Sequence, residues 1–448
     1  MSAARQTGGL GHPCSGCGVC VAVCPKGLNA MVYVESEGRY APTMTAATCE
    51  VGCGLCDRVC AFASAEPSPL AINAALFGAG EGVARDAVAG CYRGVYSGYS
   101  EAHRLTSASG GVLTWVAEQL LARGEVAAVL CVAQDPDSPT RFRFVRCSTS
   151  AELRACGGSC YTSVNLADAL RAVVAEERPV AVVAVPCFAT ALRRAQQAVP
   201  RFQRNVRYIL GLVCGGIRTY HWVRYVSATV MKAGNPDRVR FRAKWEDVSA
   251  QPRFRFEYRR AEGGWDERQA VFSDRVKHIF GSRLFAMACC NRCDDTLAVT
   301  ADATFCDAWL PEYSRDWRGH SLVVVRSPVL QDLIASAKPP ELTVEAIPLS
   351  VVERSTRGRV REWRTRLWMR PDAGRNWPEG ARGFAPRWID RWTARLQDVI
   401  RVTGIAVWRR TRSYRAVRPA VWAPILALRA AWFVQNRLPD RRAGSGPK

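Results

Sequence analysis

Two runs of four cysteines constrain this chain more than anything else in it. Cys14, Cys17, Cys20 and Cys24 stand in CSGCGVCVAVCP, with the spacing C-x2-C-x2-C-x3-C-P. Cys49, Cys53, Cys56 and Cys60 follow in CEVGCGLCDRVC, at C-x3-C-x2-C-x3-C, beginning 35 residues after the first run. Thiols this dense end up either oxidised or bound to metal. Disulfide scaffolds belong to short secreted chains. This chain has 448 residues and 19 cysteines, and its opening MSAARQTGGLGHPC carries no apolar run of the secretory kind. The expectation is therefore a cytoplasmic protein that binds metal or clusters. A zinc ribbon also uses C-x2-C pairs, but zinc takes four ligands and these runs offer eight. Tight spacing lets one loop wrap three corners of a cubane while a helix carries the fourth cysteine to another cluster.

The paired runs resemble a two-cluster bacterial-type ferredoxin module. That resemblance implies two [4Fe-4S] clusters, one held by Cys14, Cys17, Cys20 and Cys60 and the other by Cys49, Cys53, Cys56 and Cys24. Gly16, Gly18, Gly52 and Gly54 are the small residues that let amides approach the cluster sulfurs. The second run departs from the pattern, with Ala61 where the first has Pro25, and x3 at its start. Cys49-x3-Cys53-x2-Cys56 also matches radical-SAM spacing. However, Leu55 replaces that family's usual aromatic, and no strand–helix series long enough for its barrel follows.

Beyond a Pro/Ser/Ala linker near AEPSPLA the texture alternates. VAAVLCVA (126–133), VAVVAVP (180–186), RYILGLVC (207–214) and SLVVVRS (321–327) read as buried strands. GVLTWVAEQLLARG and NLADALRAVVAEERP have helical periodicity. The alternation predicts an α/β domain with a mostly parallel sheet and ligands at the carboxyl ends of its strands. LTSASGG (105–111) precedes a helix and suits either a phosphate or plain capping. Cys187 and Cys214 each follow a strand.

RLTSASGGVLTWVAEQLLARGEVAAVL, VAVVAVPCFATALRR, YILGLVCGG and CNRCDDTLAVTADATFCDAW occur in an order that resembles the coenzyme F-420 hydrogenase/dehydrogenase beta-subunit family. The resemblance covers roughly residues 1–335, with the ferredoxin module as an N-terminal addition. It implies an iron–sulfur flavoprotein oxidoreductase in which FAD sits in the α/β domain beside a third [4Fe-4S] cluster. Carried over residue by residue, the cluster ligands are Cys187, Cys214, Cys290 and Cys293, with Asp295 completing the last motif. Ser109, Gly110 and Gly111, with Ser107 before them, fall near FAD; Gly319, Ser321 and Arg326 belong to the flavin or substrate pocket. Where the family has glycine before Asp307, this chain has Cys306. Cys156 and Cys160 read either as free thiols or as extra ligands or a redox pair; Cys91, Cys131 and Cys147 read as ordinary residues.

The implied activity relays electrons through the clusters to FAD and on to a two-electron acceptor, coenzyme F-420 or another small organic molecule. The alternative is a non-catalytic electron-transfer subunit, with a ferredoxin or redox subunit as partner. Arg104, Lys244, Lys277, Arg283 and Arg326 could meet an acidic substrate, and His221, His278 and His320 could move protons. No GxGxxG occurs.

Net charge is +22, and residues 391–448 carry 13 Lys/Arg against 2 Asp/Glu, a net of +11. No nucleic-acid-reading motif accompanies that charge. The Arg- and Trp-rich tail predicts two helices broken near Pro419 and Pro424, lying on a membrane surface or on a partner subunit. The expected layout is thus an α+β ferredoxin-like module at 1–66, a linker at 67–90, the flavin-binding iron–sulfur domain at 91–335, a peripheral segment at 336–390 and a basic helical tail at 391–448.

Overall fold

The computed structural model describes residues 13–27, 29–43, 53–63, 67–244, 246, 254–259, 271–370 and 379–437. Cys49 and Gly52 lie outside them.

Eight strands form the central sheet: β1 (Gly94–Tyr99), β2 (Ala128–Gln134), β3 (Phe142–Cys147), β4 (Val180–Ala184), β5 (Val206–Leu212), β6 (Ala303–Asp307), β7 (Ser321–Val325) and β8 (Thr343–Ala346). Their order is β8-β1-β7-β6-β5-β4-β2-β3. β2, β4, β5 and β6 pair in parallel. β7, β1 and β8 add antiparallel on one side and β3 on the other, so β1 runs in the parallel direction. The central runs are buried on both faces, which explains their continuous apolar sequence. Ala128, Leu130, Val180, Val182 and Ile209 pack into one layer. Val129, Cys131, Ala181, Tyr208 and Leu210 pack into the other. The side-chain period of two thus splits each strand between two cores.

The helices used below are α1 (Val112–Ala122), α2 (Ser150–Ala155), α3 (Ala167–Glu176), α4 (Pro186–Ala198), α5 (Leu349–Trp368), α6 (Trp388–Thr411) and α7 (Tyr414–Arg437). Short helices at Val19–Ala22 and Leu55–Val59, with a hairpin at Ala30–Val34 and Arg39–Thr43, make up the described N-terminal segment. This segment is fastened to the sheet layer. The amide of Leu166 donates to the Cys17 carbonyl at 2.8 Å, and Arg171 on α3 donates to the carbonyls of Val21 and Asn29. Gly18 has φ 79°, and a Cβ there would stand 3.0 Å from Ala167, so the cysteine loop and α3 meet through a residue that must be glycine.

Two expectations change. The sheet takes its last strand from 343–346, past the boundary expected at 335. The tail does form two helices, but the break falls at Arg412, in the left-handed region with φ 51°, while Pro419 and Pro424 lie inside α7. Val417, Val421, Ile425 and Leu428 bury one face of α7, and that packing holds the helix through prolines that each remove a hydrogen bond.

Candidate functional site

A cavity of about 1470 Å³ opens at the carboxyl ends of the parallel strands, where Gln134, Val185, Leu212 and Asp307 line it. The three-stranded sheet Arg238–Lys244, Phe254–Arg259 and Val271–Phe272 contributes to its wall through Phe241 and Phe256. Ser107, Ser109 and Gly111 line the cavity at the start of α1, together with Ser321 on β7. Gly111 caps α1 with φ 80° and supplies no side chain, so the helix's first amides are left to other acceptors. Ser109 Oγ donates to the His320 carbonyl at 2.6 Å, and the Gly110 amide donates to Ser321 Oγ at 3.0 Å. These bonds fix the Ser-Gly-Gly turn against β7.

Gly110, Gly319 and Arg326 are not on the cavity wall. Gly319 packs against the Ser109 backbone. Arg326 is fully buried and donates to the carbonyls of Ala301 and Ala89 and to Thr304 Oγ1, which makes it a brace between strands and loops. Of the cations considered for an acidic substrate, Lys244 and Lys277 line the cavity, joined by Arg242 and Arg359, which sequence reasoning did not single out. Burial, and then Arg242 and Arg104, lower the Lys244 ammonium to about 7. Burial lowers His221 to about 3 and His320 to about 4, so both imidazoles are neutral near pH 7.

Cys214 lines the same cavity, two residues past the end of β5. Its amide donates to the Thr296 carbonyl at 3.0 Å and Thr296 Oγ1 donates back to its carbonyl at 2.8 Å. This two-way tie brings Cys214 to the loop that carries Cys290 and Cys293. Cys187 joins them from the first turn of α4, behind Pro186. Burial and the neighbouring thiols Cys293, Cys214 and Cys290 push Cys187 far above the usual thiol value. Cys293 is raised for like reasons, while Cys214 is pushed up to about 11. Backbone amides aim at two of these sulfurs: Gly216 N–H at Cys214 Sγ and Ile217 N–H at Cys290 Sγ, each at 3.3 Å. Cys290 is lowered to about 6, first by a hydrogen bond from Cys289 and then, against burial, by Arg283, the Ile217 amide and Arg218. Cys289 is 1% exposed and is raised by that same bond.

The N-terminal thiols form a second group. Cys17 is raised to about 12 by burial, Cys14 and Cys60, and Cys20 is raised further by burial and by Cys17, Cys14, Cys60 and Cys56. Gly16 N–H points at Cys14 Sγ at 3.2 Å. Cys14, Cys17, Cys20 and Cys60 therefore lie near one another, although Cys60 belongs to the second run, and Cys56 of that run also acts on Cys20. The partners expected for Cys24, Cys53 and Cys56 are incomplete here, because Cys49 is outside the described residues. The two groups adjoin: Cys17 is among the charges acting on Cys187, and Cys14 and Cys187 both act on Cys289.

A third gathering was not read from the sequence. Cys131, Cys147 and Cys156 have sulfurs all within 4.8 Å of one another. Cys156 thus meets two thiols taken as ordinary, and Cys160 turns instead to Thr162.

The site is thus a cavity at the carboxyl ends of the parallel strands of a mixed α/β sheet, with groups of cysteines beside it that fit iron–sulfur binding. The chain belongs to the coenzyme F420 hydrogenase/dehydrogenase beta-subunit family: residues 95–171 match the family's N-terminal model and residues 177–348 its C-terminal model, together more than half of the chain. Among curated proteins none matches. A solved structure of the F420-reducing [NiFe] hydrogenase complex from Methanosarcina barkeri, derivatised with xenon, is 16% identical over 64% of this chain and 95% of that one, with a TM-score of 0.47.

Proposed function

We propose that this chain is an iron–sulfur flavoprotein oxidoreductase that carries electrons between [4Fe-4S] clusters, FAD and a two-electron acceptor. The acceptor is coenzyme F-420 or another small organic molecule. One observation carries the reading: Cys214 lines the cavity that Ser107, Ser109, Gly111 and Ser321 also line, while Cys187 of the same thiol group lies close enough to Cys17 of the N-terminal group to feel its charge.

The donor sets fit the groups proposed. Four neighbouring thiols, two of which receive backbone N–H bonds, suit a [4Fe-4S] cluster, whose potential such bonds tune. The uncapped start of α1 suits a cofactor phosphate. Flavin, when bound, exchanges electrons singly on one side and as a hydride on the other. The chain's own residues do the holding. Cys187, Cys214, Cys290 and Cys293 bind the inner cluster; Cys14, Cys17, Cys20 and Cys60 bind the next one; Cys24, Cys49, Cys53 and Cys56 bind the outermost. Ser107, Ser109 and Gly111 present polar groups to the cofactor, and Lys277 and Arg359 give the cavity a positive wall for an acidic acceptor. With His320 neutral and its ring stacked on Tyr313 at 4.7 Å, its part is positioning of the Ser109 turn.

A second reading, an electron-transfer subunit that docks on a partner, draws on the exposed Trp388, Trp392, Trp422 and Phe433 of α6 and α7. Those faces would meet a redox subunit or a membrane surface, leaving the chain cytoplasmic. Anaerobic purification with iron, sulfide and flavin analysis tests the main reading. About twelve irons and one FAD per chain are expected for three cubanes; absence of flavin, or zinc in place of the iron, would overturn it. Reduction of an acceptor by the isolated chain with dithionite separates the enzyme from the docking subunit.

A further inference from the structure

Cys131, Cys147 and Cys156 take no part in the two thiol groups assigned above. Cys131 lies on β2 and Cys147 at the end of β3, where the register pairs Val129 with Cys147 and Cys131 with Val145. The two cysteines are therefore diagonal neighbours on one face of the hairpin. Cys156 closes α2, whose start is fixed by a capping box between Thr149 and Glu152. The Sγ atoms of Cys131 and Cys147 are 3.5 Å apart, as are those of Cys147 and Cys156. Cys131 and Cys147 are both buried and Cys156 half-buried, and Cys131 and Cys156 line the wall of the large cavity.

We propose that Cys131, Cys147 and Cys156 form a site for a single thiophilic metal ion, Zn²⁺, whose fourth coordination position opens to the cavity. Zinc–sulfur bonds of about 2.3 Å place two thiolates of a tetrahedral site about 3.8 Å apart, close to the spacing present. A cubane spreads its four thiolates over four irons, one to each corner. The two other cysteine groups have that spread character: among the described residues no other three Cys, His, Asp or Glu donors come within 4.8 Å of one another. This trio instead converges on one point. All-sulfur donors select zinc over the hard cations.

Bound there, the ion ties the end of α2 to the β2–β3 hairpin. It thereby fixes the segment from Gly157 to Tyr161, which forms part of the cavity wall.

The test uses the full chain, purified anaerobically, with zinc and iron counted together by mass spectrometry. One zinc per chain beyond the iron is expected, with three sulfurs at about 2.3 Å in its X-ray absorption spectrum. Cys156→Ala and Cys147→Ser should each lose that zinc and keep all iron, which also shows that they fold. Should a variant lose iron as well, titration of zinc-stripped wild type with Co²⁺ decides: thiolate-to-cobalt charge-transfer bands saturating at one equivalent uphold the site. Wild type with neither zinc nor Co²⁺ uptake, zinc retained by both variants, or a Cys131–Cys147 disulfide in the anaerobic protein would overturn it. Flavin content is read separately, so the proposed flavoprotein activity and this site can fail independently.

Discussion

The backbone amide of Ile217 points at Cys290 Sγ from 3.3 Å, and Cys289 next door receives no such amide among the described residues. Adjacent cysteines thus have different surroundings. Cys290 is lowered first by a hydrogen bond from Cys289 and then by Arg283, the amide and Arg218, while Cys289 is pushed up by that same bond and by burial. Cys290→Ser and Cys187→Ser should each lose one cluster, about a third of the iron expected for three cubanes, and leave the N-terminal ones. Cys289→Ser should keep all of it. Iron and sulfide counts, with low-temperature EPR of the reduced protein, check this. Iron lost from Cys289→Ser but not from Cys290→Ser would reverse the assignment.

A buried ion pair underpins the same frame. Arg193 on α4 donates to Asp302 Oδ2 at 2.7 Å, and the Ile209 amide shares that oxygen at 2.7 Å. The pair joins the helix that carries Cys187 to the strand that leads to Cys214. Arg193→Ala leaves a buried carboxylate without its cation, which costs about 3–5 kcal/mol. A urea titration followed by tryptophan fluorescence should show a correspondingly lower midpoint. An unchanged midpoint would mean that solvent reaches Asp302.

What the sequence made legible follows from what each element depends on. The runs at 126–133, 180–186, 207–214 and 321–327 are buried on both faces, and their apolar character alone marks β2, β4, β5 and β7. The stretches Gly94–Tyr99, Ala303–Asp307 and Thr343–Ala346 are short or rich in small and polar residues, and become strands by pairing with distant partners, which local pattern does not record. The proximity of Cys187, Cys214, Cys290 and Cys293 was reached through resemblance, since no spacing links residues from three segments far apart in the chain. The Cys131–Cys147–Cys156 trio was not reached at all, because a diagonal strand pair depends on register, and Cys156 depends on where α2 ends. Arg326 matched a motif position, yet its guanidinium is spent on carbonyls and Thr304.

Acid stability should report on Glu362 of α5. Burial works against its ionisation, but Arg283, Arg366 and Arg359 outweigh that and lower the carboxyl to about 2. An unfolded glutamate titrates near about 4.3. The folded value is the lower one, so the stabilisation is fully present above about 4.3 and is lost as pH falls towards 2. The side chain is 29% exposed, which keeps the contribution at roughly 1–2 kcal/mol. Wild type should exceed Glu362→Gln by that amount at pH 7, and the two should converge towards pH 2. A gap that stays constant with pH would assign the effect to packing. Arg283 bonds Glu362 at 2.9 Å and Asn291 at 2.8 Å, and Asn291 bonds Asp398 of α6 at 2.7 Å, so the network also braces the Cys290–Cys293 loop against the tail.

The outward faces of α6 and α7 carry the last prediction. Trp388, Trp392, Val399 and Val402 are exposed along α6, and Trp422, Leu426, Phe433 and Val434 along α7. Arg395, Arg409, Arg410, Arg415, Arg418, Arg429 and Arg437 are exposed among them, while Asp390 is buried and Asp398 half-buried. Arg418 lies over Trp422 at 5.6 Å and Arg437 over Phe433 at 3.9 Å, so cation and aromatic ring are presented together. Tyr414–Gln435 is also long and apolar enough to cross a bilayer, by length and composition only, with mean hydropathy 1.2. A basic, Trp-bearing face fits an anionic interface, where each arginine contributes about 1 kcal/mol. The full chain should sediment with vesicles containing phosphatidylglycerol and not with pure phosphatidylcholine. Raising salt should release it, as screening requires. Arg418→Gln with Arg429→Gln should weaken binding by about tenfold or more. Trp422→Ala with Phe433→Ala should weaken it without changing the salt dependence. Equal sedimentation with neutral and anionic vesicles would assign the binding to apolar insertion of α7, and sedimentation with neither would assign these faces to a protein partner.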